Sequence, residues 1–213
     1  MTFVESLLIL FFISTIFFHL AKKNIGVAYA YSFQSLLIVI LLFNSFLETK
    51  SISLFFVAFL VFVIKVIITP IFIVKLIKKH QLKFLVSTYT SMPVTLVVVT
   101  ILAIIANSSF LVPLTSIIPS NQQSLSLALS SLFISLFLII NRKGALSQII
   151  GVLSLENSIV AFAFFAGLEQ TLALQIGIIF DIFVWMVIAT VFISMIYKHF
   201  GTLNVSEMQH LKD

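Results

Sequence analysis

Hydrophobic positions run along this chain in seven long blocks separated by short polar turns: about 3–20, 26–47, 51–77, 84–106, 124–140, 145–167 and 172–197. A transmembrane helix needs about 20 predominantly apolar residues, at 1.5 Å rise each, to cross a hydrocarbon core of about 30 Å. The fourth block is diluted at its start by the run TYTSM (88–92) and Pro93, and the fifth is short. The pattern predicts an all-α integral membrane protein of about seven transmembrane helices.

The turns set an orientation. Lys22 and Lys23 follow the first block, Lys75, Lys78, Lys79 and Lys83 the third, Arg142 and Lys143 the fifth, and Lys198 the seventh. The intervening turns hold Glu48 with Lys50, no charge in 107–123, and Glu169. By the positive-inside rule this places the N-terminus outside and the C-terminus inside. A six-helix arrangement breaks the alternation.

The segment 107–123, with Pro113 and Pro119, divides the chain. It leaves an N-terminal membrane bundle of four helices (1–106), a C-terminal three-helix unit (124–197) and a cytoplasmic tail (198–213). In the first part a Lys-Lys-Asn turn precedes a helix bearing Tyr31, Gln34 and Ser35; in the second an Arg-Lys-Gly turn precedes one bearing Glu156, Asn157 and Ser158. The turn-to-polar distances agree within about two residues, which suggests a weak parallel three-helix repeat. Chance similarity between apolar helices is the competing explanation.

Composition narrows the class further. Of 213 residues, 61% are hydrophobic and 9% charged, with a mean hydropathy of +1.25; soluble domains carry about 25% charge. No room is left for an extramembrane catalytic domain, and no catalytic site of its own is expected. No Walker loop, Gly-rich nucleotide loop, nucleophile elbow or selectivity filter is present. Cysteine is absent, which excludes disulfides, thiolate metal sites and iron–sulfur clusters. His19, His80, His199 and His210 are scattered without ligand spacing and read as interfacial, so neither metal nor cofactor is expected. The net charge of +5 resides in juxtamembrane turns and does not indicate nucleic acid. With Glu5 in place of a basic start and no small-residue cleavage site, the first block reads as a retained span.

Three ionisable residues stand near the centres of apolar blocks: Lys65, Glu156 and Asp181. A charge at mid-bilayer costs roughly 2.5–3.5 kcal/mol on insertion scales, so such groups pair, reach water or stay neutral. Gly144, Ser147, Gly151, Ser154 and Ser158 recur at helical spacing as a stripe of small residues, the sort that admits a neighbouring helix closely. Glu156 points away from that stripe, with Gln148 within about 80° of its direction and Asn157 beside it. Asp181 shares a face with Gly177 and Trp185, whose indole N–H is a donor for the carboxylate. Pro70 removes a helical N–H and frees the Val66 carbonyl beside Lys65, an acceptor for the ammonium group or a water, with Thr69 on the same face. Functional readings for the three are proton exchange at buried groups of shifted pKa; the bland reading of each is a helix-to-helix contact. Titratable groups at one depth suit a lateral proton path.

The segments YAYSFQS (29–35), KVIITP (65–70), QIIGVLSLENS (148–158), GIIFDI (177–182) and HFGTLNV (199–205), with Leu211-Lys212, resemble the hydrogenase-4 component E family. The Glu156 region also resembles complex I subunit K and the matching subunit of multisubunit cation/proton antiporters. The resemblance implies a non-catalytic membrane subunit of an energy-converting hydrogenase-4, formate hydrogenlyase or complex I-like assembly in a bacterial or archaeal cell membrane. It implies antiporter-like and quinone-module-like partner subunits, and a tail that docks on the cytoplasmic side. Glu156 would match the subunit K glutamate, with Lys65 and Asp181 as further stations for protons or sodium. The chain departs from the family in being Phe-rich and Gly-poor, and in having Gln34 where a carboxylate is expected. Two alternatives stand beside this reading: a structural membrane anchor in the same complex, and an independent small-solute transporter.

Overall fold

The structure is a computed structural model that describes residues 2–79, 86–116, 118 and 121–168, and separate helical positions between 176 and 198. Helix α1 (Phe3–Leu20) opens on a capping box. The Thr2 hydroxyl accepts from the Glu5 N–H, and the Glu5 carboxylate accepts from the Thr2 N–H, which satisfies two otherwise orphaned groups. Helix α2 (Asn24–Thr49) returns antiparallel and ends at Lys50, whose left-handed backbone (φ 56°) turns the chain into α3 (Ile52–Val61). The helix then runs through a π-helical stretch, Phe62–Ile68, into α4 (Thr69–Lys79).

The fourth apolar block is shorter than expected. Helix α5 spans Met92–Ala106, while 86–90 is not helical. Pro93 lies in the first turn of α5, where no helical N–H bond is needed, and it disfavours helix in the residue before it. The polar side chains upstream have other work: Thr90 donates from both its N–H and its hydroxyl to Asn141 Oδ1 (3.0 and 2.9 Å). The segment 107–123 is not a plain linker. It holds a 3-10 turn (Ser109–Leu111) and the short α6 (Val112–Thr115). Helices α7 (Gln122–Asn141) and α8 (Ala145–Phe165) follow.

Among the described residues, five helical spans are long and apolar enough to cross a membrane, and α5 with Ser109–Thr115, bent by 50°, makes a sixth if counted as one broken span. The outer surface is apolar, with residues such as Phe59, Ile101 and Ile104 exposed, as suits a multi-pass membrane protein.

Two helical hairpins form the centre. α1 packs on α7, α2 on α8, and α7 and α8 make the most extensive contact of all. The small-residue stripe explains the last. A Cβ on Gly151 would come within 2.9 Å of Ile139 Cγ1 and 3.3 Å of the Ile139 backbone nitrogen. The Ser154 and Ser158 hydroxyls lie 3.2 and 3.0 Å from that of Ser135 across the same seam. The two hairpins lie side by side with like ends together: Arg142, after α7, donates to the Phe18 carbonyl near the end of α1, and Ser147 on α8 donates to Asn24 at the start of α2 (3.0 Å).

The interior has three layers. Near the basic turns, Phe18, Ile77, Leu138 and Ile150 form one apolar cluster. At the opposite end Leu8, Leu41, Val57, Leu125 and Ala161 form another. Between them every central helix contributes buried polar groups: Thr15, Gln34, Ser35, Lys65, Thr69, Ser135, Ser154 and Asn157.

Candidate functional site

Lys65 occupies the middle of the π-helical stretch and is 1% exposed. Its placement follows from the buried ladder Val57, Val61, Lys65, Thr69, Ile73 and Ile77, which steps by four residues throughout. At 3.6 residues per turn such a ladder drifts about 40° per step, or about 200° over its length, and would wind off one face. The i→i+5 turns of a π-helix are wider and take up the extra residue. The widened turn therefore keeps Lys65 and Thr69 facing the bundle. Pro70 frees the Val66 carbonyl as expected, but its partner is the Ser32 hydroxyl (2.9 Å) rather than the Lys65 ammonium.

The Lys65 ammonium instead meets Glu156 of α8, Nζ to Oε1 at 2.9 Å. It also donates to Asn157 Oδ1 at 3.1 Å. The Asn157 amide donates in turn to Gln34 Oε1 (3.3 Å) and Ser35 Oγ (2.9 Å). Gln34 Nε2 donates to Thr15 Oγ1 (3.0 Å), whose own proton goes to the Phe11 carbonyl (3.0 Å). Donation thus runs one way from Lys65 on the π-helical stretch through α8 and α2 to α1. Among the described residues the Thr69 hydroxyl is fully buried without a hydrogen-bond partner, so the layer is not saturated with polar contacts.

The two members of the ion pair differ in access. Lys65 is sealed, whereas the Glu156 side chain is 19% exposed, on the side of α8 away from the serine stripe. An amide passes a proton poorly, because its nitrogen has no basic lone pair and its donor and acceptor roles are fixed. The amide chain is accordingly a scaffold that aims Lys65, and of the two charged groups the Glu156 side chain is the one with exposure. A buried ion pair forgoes hydration of both charges and holds together only while both partners remain.

Of the residues singled out in the sequence, the structure brings Lys65, Glu156, Asn157 and Gln34 together, with Thr69 on the same face as Lys65. Gln148 does not join them: its amide donates to the Arg142 carbonyl (2.8 Å) and closes the α7–α8 turn. Asp181 and Trp185 lie outside the described residues, as do His80, His199 and His210 and the tail. Thr15 was not anticipated, and its only signal was a Ser-Thr pair inside the apolar run FFISTIFF.

Two basic-end residues are buried. His19 is buried, with Nε2 3.1 Å from the Ile134 carbonyl and its ring stacked on Phe137. Arg142, in the basic turn after α7, is also buried. Its guanidinium donates to the Phe18 carbonyl in the last turn of α1, where a cation is favoured. Burial lowers its pKa to about 10, which leaves it protonated at neutral pH.

No family model, no curated protein and no solved structure matches the chain.

Proposed function

We propose that the chain is a non-catalytic membrane subunit of a redox-driven complex of the hydrogenase-4 or complex I-like kind, and that it exchanges protons through Glu156. Seven spans, an outside N-terminus and a parallel repeat of the two halves belong to this reading, with antiporter-like and quinone-module-like subunits as partners. The observation that carries it is the Lys65–Glu156 ion pair, set in a polar layer between two apolar ones and reachable from one side through the carboxylate. Intramembrane ionisable groups are costly and mark ion paths. When Glu156 accepts a proton, the pair loses its attraction while Lys65 keeps its bond to Asn157. When Glu156 releases it, the pair reforms. The carboxylate thus cycles beside a fixed cation, and a neighbouring subunit on the exposed side of Glu156 supplies or removes the proton.

The dense bonding of Lys65 also favours a second reading, in which the pair only joins helices and the chain is a structural anchor. Gentle-detergent pull-down with mass spectrometry identifies the assembly, and redox-driven proton uptake in membrane vesicles then separates the readings. Glu156→Gln is expected to abolish coupled proton movement while the complex still assembles. Full pumping by that variant removes the proton role, and loss of assembly in it points to the anchor. A chain that purifies alone and moves solute in liposomes is an independent transporter.

A further inference from the structure

A groove of about 550 Å³ opens on the outer surface between α2 and α4, away from the ion pair. Its floor is apolar, made by Ile67, Pro70 and Ile71. At its deep end the Ser32 hydroxyl donates to the Val66 carbonyl and has no proton left to offer a ligand. Its mouth is basic: Lys75 and Lys78 line it from α4, both exposed, and Tyr29 lines it from α2, 63% exposed. Among the described residues no acidic side chain lines it.

The dimensions select the occupant. From Ile67 to Lys78 the helix rises about 17 Å. Half the hydrocarbon thickness of a bilayer is about 15 Å. The groove is therefore as long as one leaflet is deep, apolar along that depth and cationic where the headgroups lie. We propose that it holds one anionic phospholipid, an acyl chain along Ile67, Pro70 and Ile71 and the phosphate between Lys75 and Lys78, with the Tyr29 hydroxyl as a further donor. Basic pockets beside membrane helices are suited to such headgroups. A helix from a partner protein fits less well, since it would bring its apolar side against two lysines.

The test is native mass spectrometry of the purified full-length chain in detergent, titrated with dioleoyl phosphatidylglycerol or with zwitterionic dioleoyl phosphatidylcholine. One bound phosphatidylglycerol is expected, preferred by about thirtyfold, the contribution of two lysines at the strength typical of anionic surfaces. Lys75→Gln with Lys78→Gln should erase the preference, and Ile71→Trp should abolish binding of both lipids. Lys22→Gln with Lys23→Gln, equally basic but outside the groove, should leave binding unchanged. Retention of the preference by the Lys75/Lys78 variant, or its equal loss in the Lys22/Lys23 variant, overturns the proposal. Displacement of the lipid by inorganic phosphate overturns it in favour of a free anion. A lipid-free dimer broken by Ile71→Trp overturns it in favour of a second copy of the chain.

Discussion

An asparagine side chain has one acceptor oxygen and one two-proton donor, and Asn157 uses both: the oxygen accepts from Lys65 and the nitrogen serves Gln34 and Ser35. Rotating the amide would set donors against donors, so its orientation is determined by its neighbours. Asn157→Leu removes the acceptor beside a buried ammonium and leaves two polar groups unmatched on α2. The expected loss is about 3 kcal/mol, read as a lower thermal unfolding midpoint in detergent. The ion pair makes a sharper case. Lys65→Met or Glu156→Leu alone strands the opposite charge in the interior and should cost roughly 3–5 kcal/mol, whereas the two together should recover most of that loss. A double variant that is stable and assembled but does not pump separates proton exchange from helix joining. If the single variants are as stable as the parent, the pair contributes little to joining the helices.

At the scale of elements, close approach and the widened turn position the site. Helix α8 reaches α7 closely because Gly151 has no side chain, and its serines meet Ser135 across the seam. Gly151→Ala places a methyl against the Ile139 side chain and backbone. Overpacking of this sort costs about 1–3 kcal/mol, so the variant should unfold at lower temperature, and Ile139→Ala should offset part of the loss. The π-helical stretch has a different role. It holds a four-residue ladder on one face and so decides that Lys65, and not a neighbouring isoleucine or valine, meets α8. In the sequence this stretch is FVIKVII, apolar on all sides of the lysine, and a phase shift cannot be read from a pattern with no polar face.

For the whole molecule, the basic end ties the hairpins together. The extended segment 86–90 bonds to both turns: the Val86 N–H donates to the Lys22 carbonyl (2.8 Å), the Tyr89 N–H to the Asn141 carbonyl (2.9 Å), and the Lys143 N–H to the Ser87 carbonyl (3.1 Å). Arg142 adds its bond to α1. Arg142→Gln should loosen this end selectively, with faster hydrogen exchange at 86–90 and 141–143 and little change in the α7–α8 seam. A uniform rise across the chain would mean that Arg142 stabilises the bundle as a whole.

Apolar block length alone determined that the chain is a bundle of membrane-length helices, because backbone groups in lipid must be satisfied within the segment. It located α1 to the residue and α2, α7 and α8 within a few, and the spacing of Gly151, Ser154 and Ser158 foretold a close helix seam. The mid-span charges were conspicuous for the same reason: their cost is set by depth, and depth is readable from position in a block. What only the tertiary structure decided is which of them meet. Lys65 and Glu156 are 91 positions apart, and their contact depends on a local change of helical phase and on how α2 and α8 pack. Thr15 joined the layer for the same reason, since a hydroxyl in an apolar helix costs too little to announce itself. Arg142 and His19 show the converse limit: a basic turn looks alike in sequence whether water or a neighbouring helix end receives its charges, and here the close docking of the hairpins buries both.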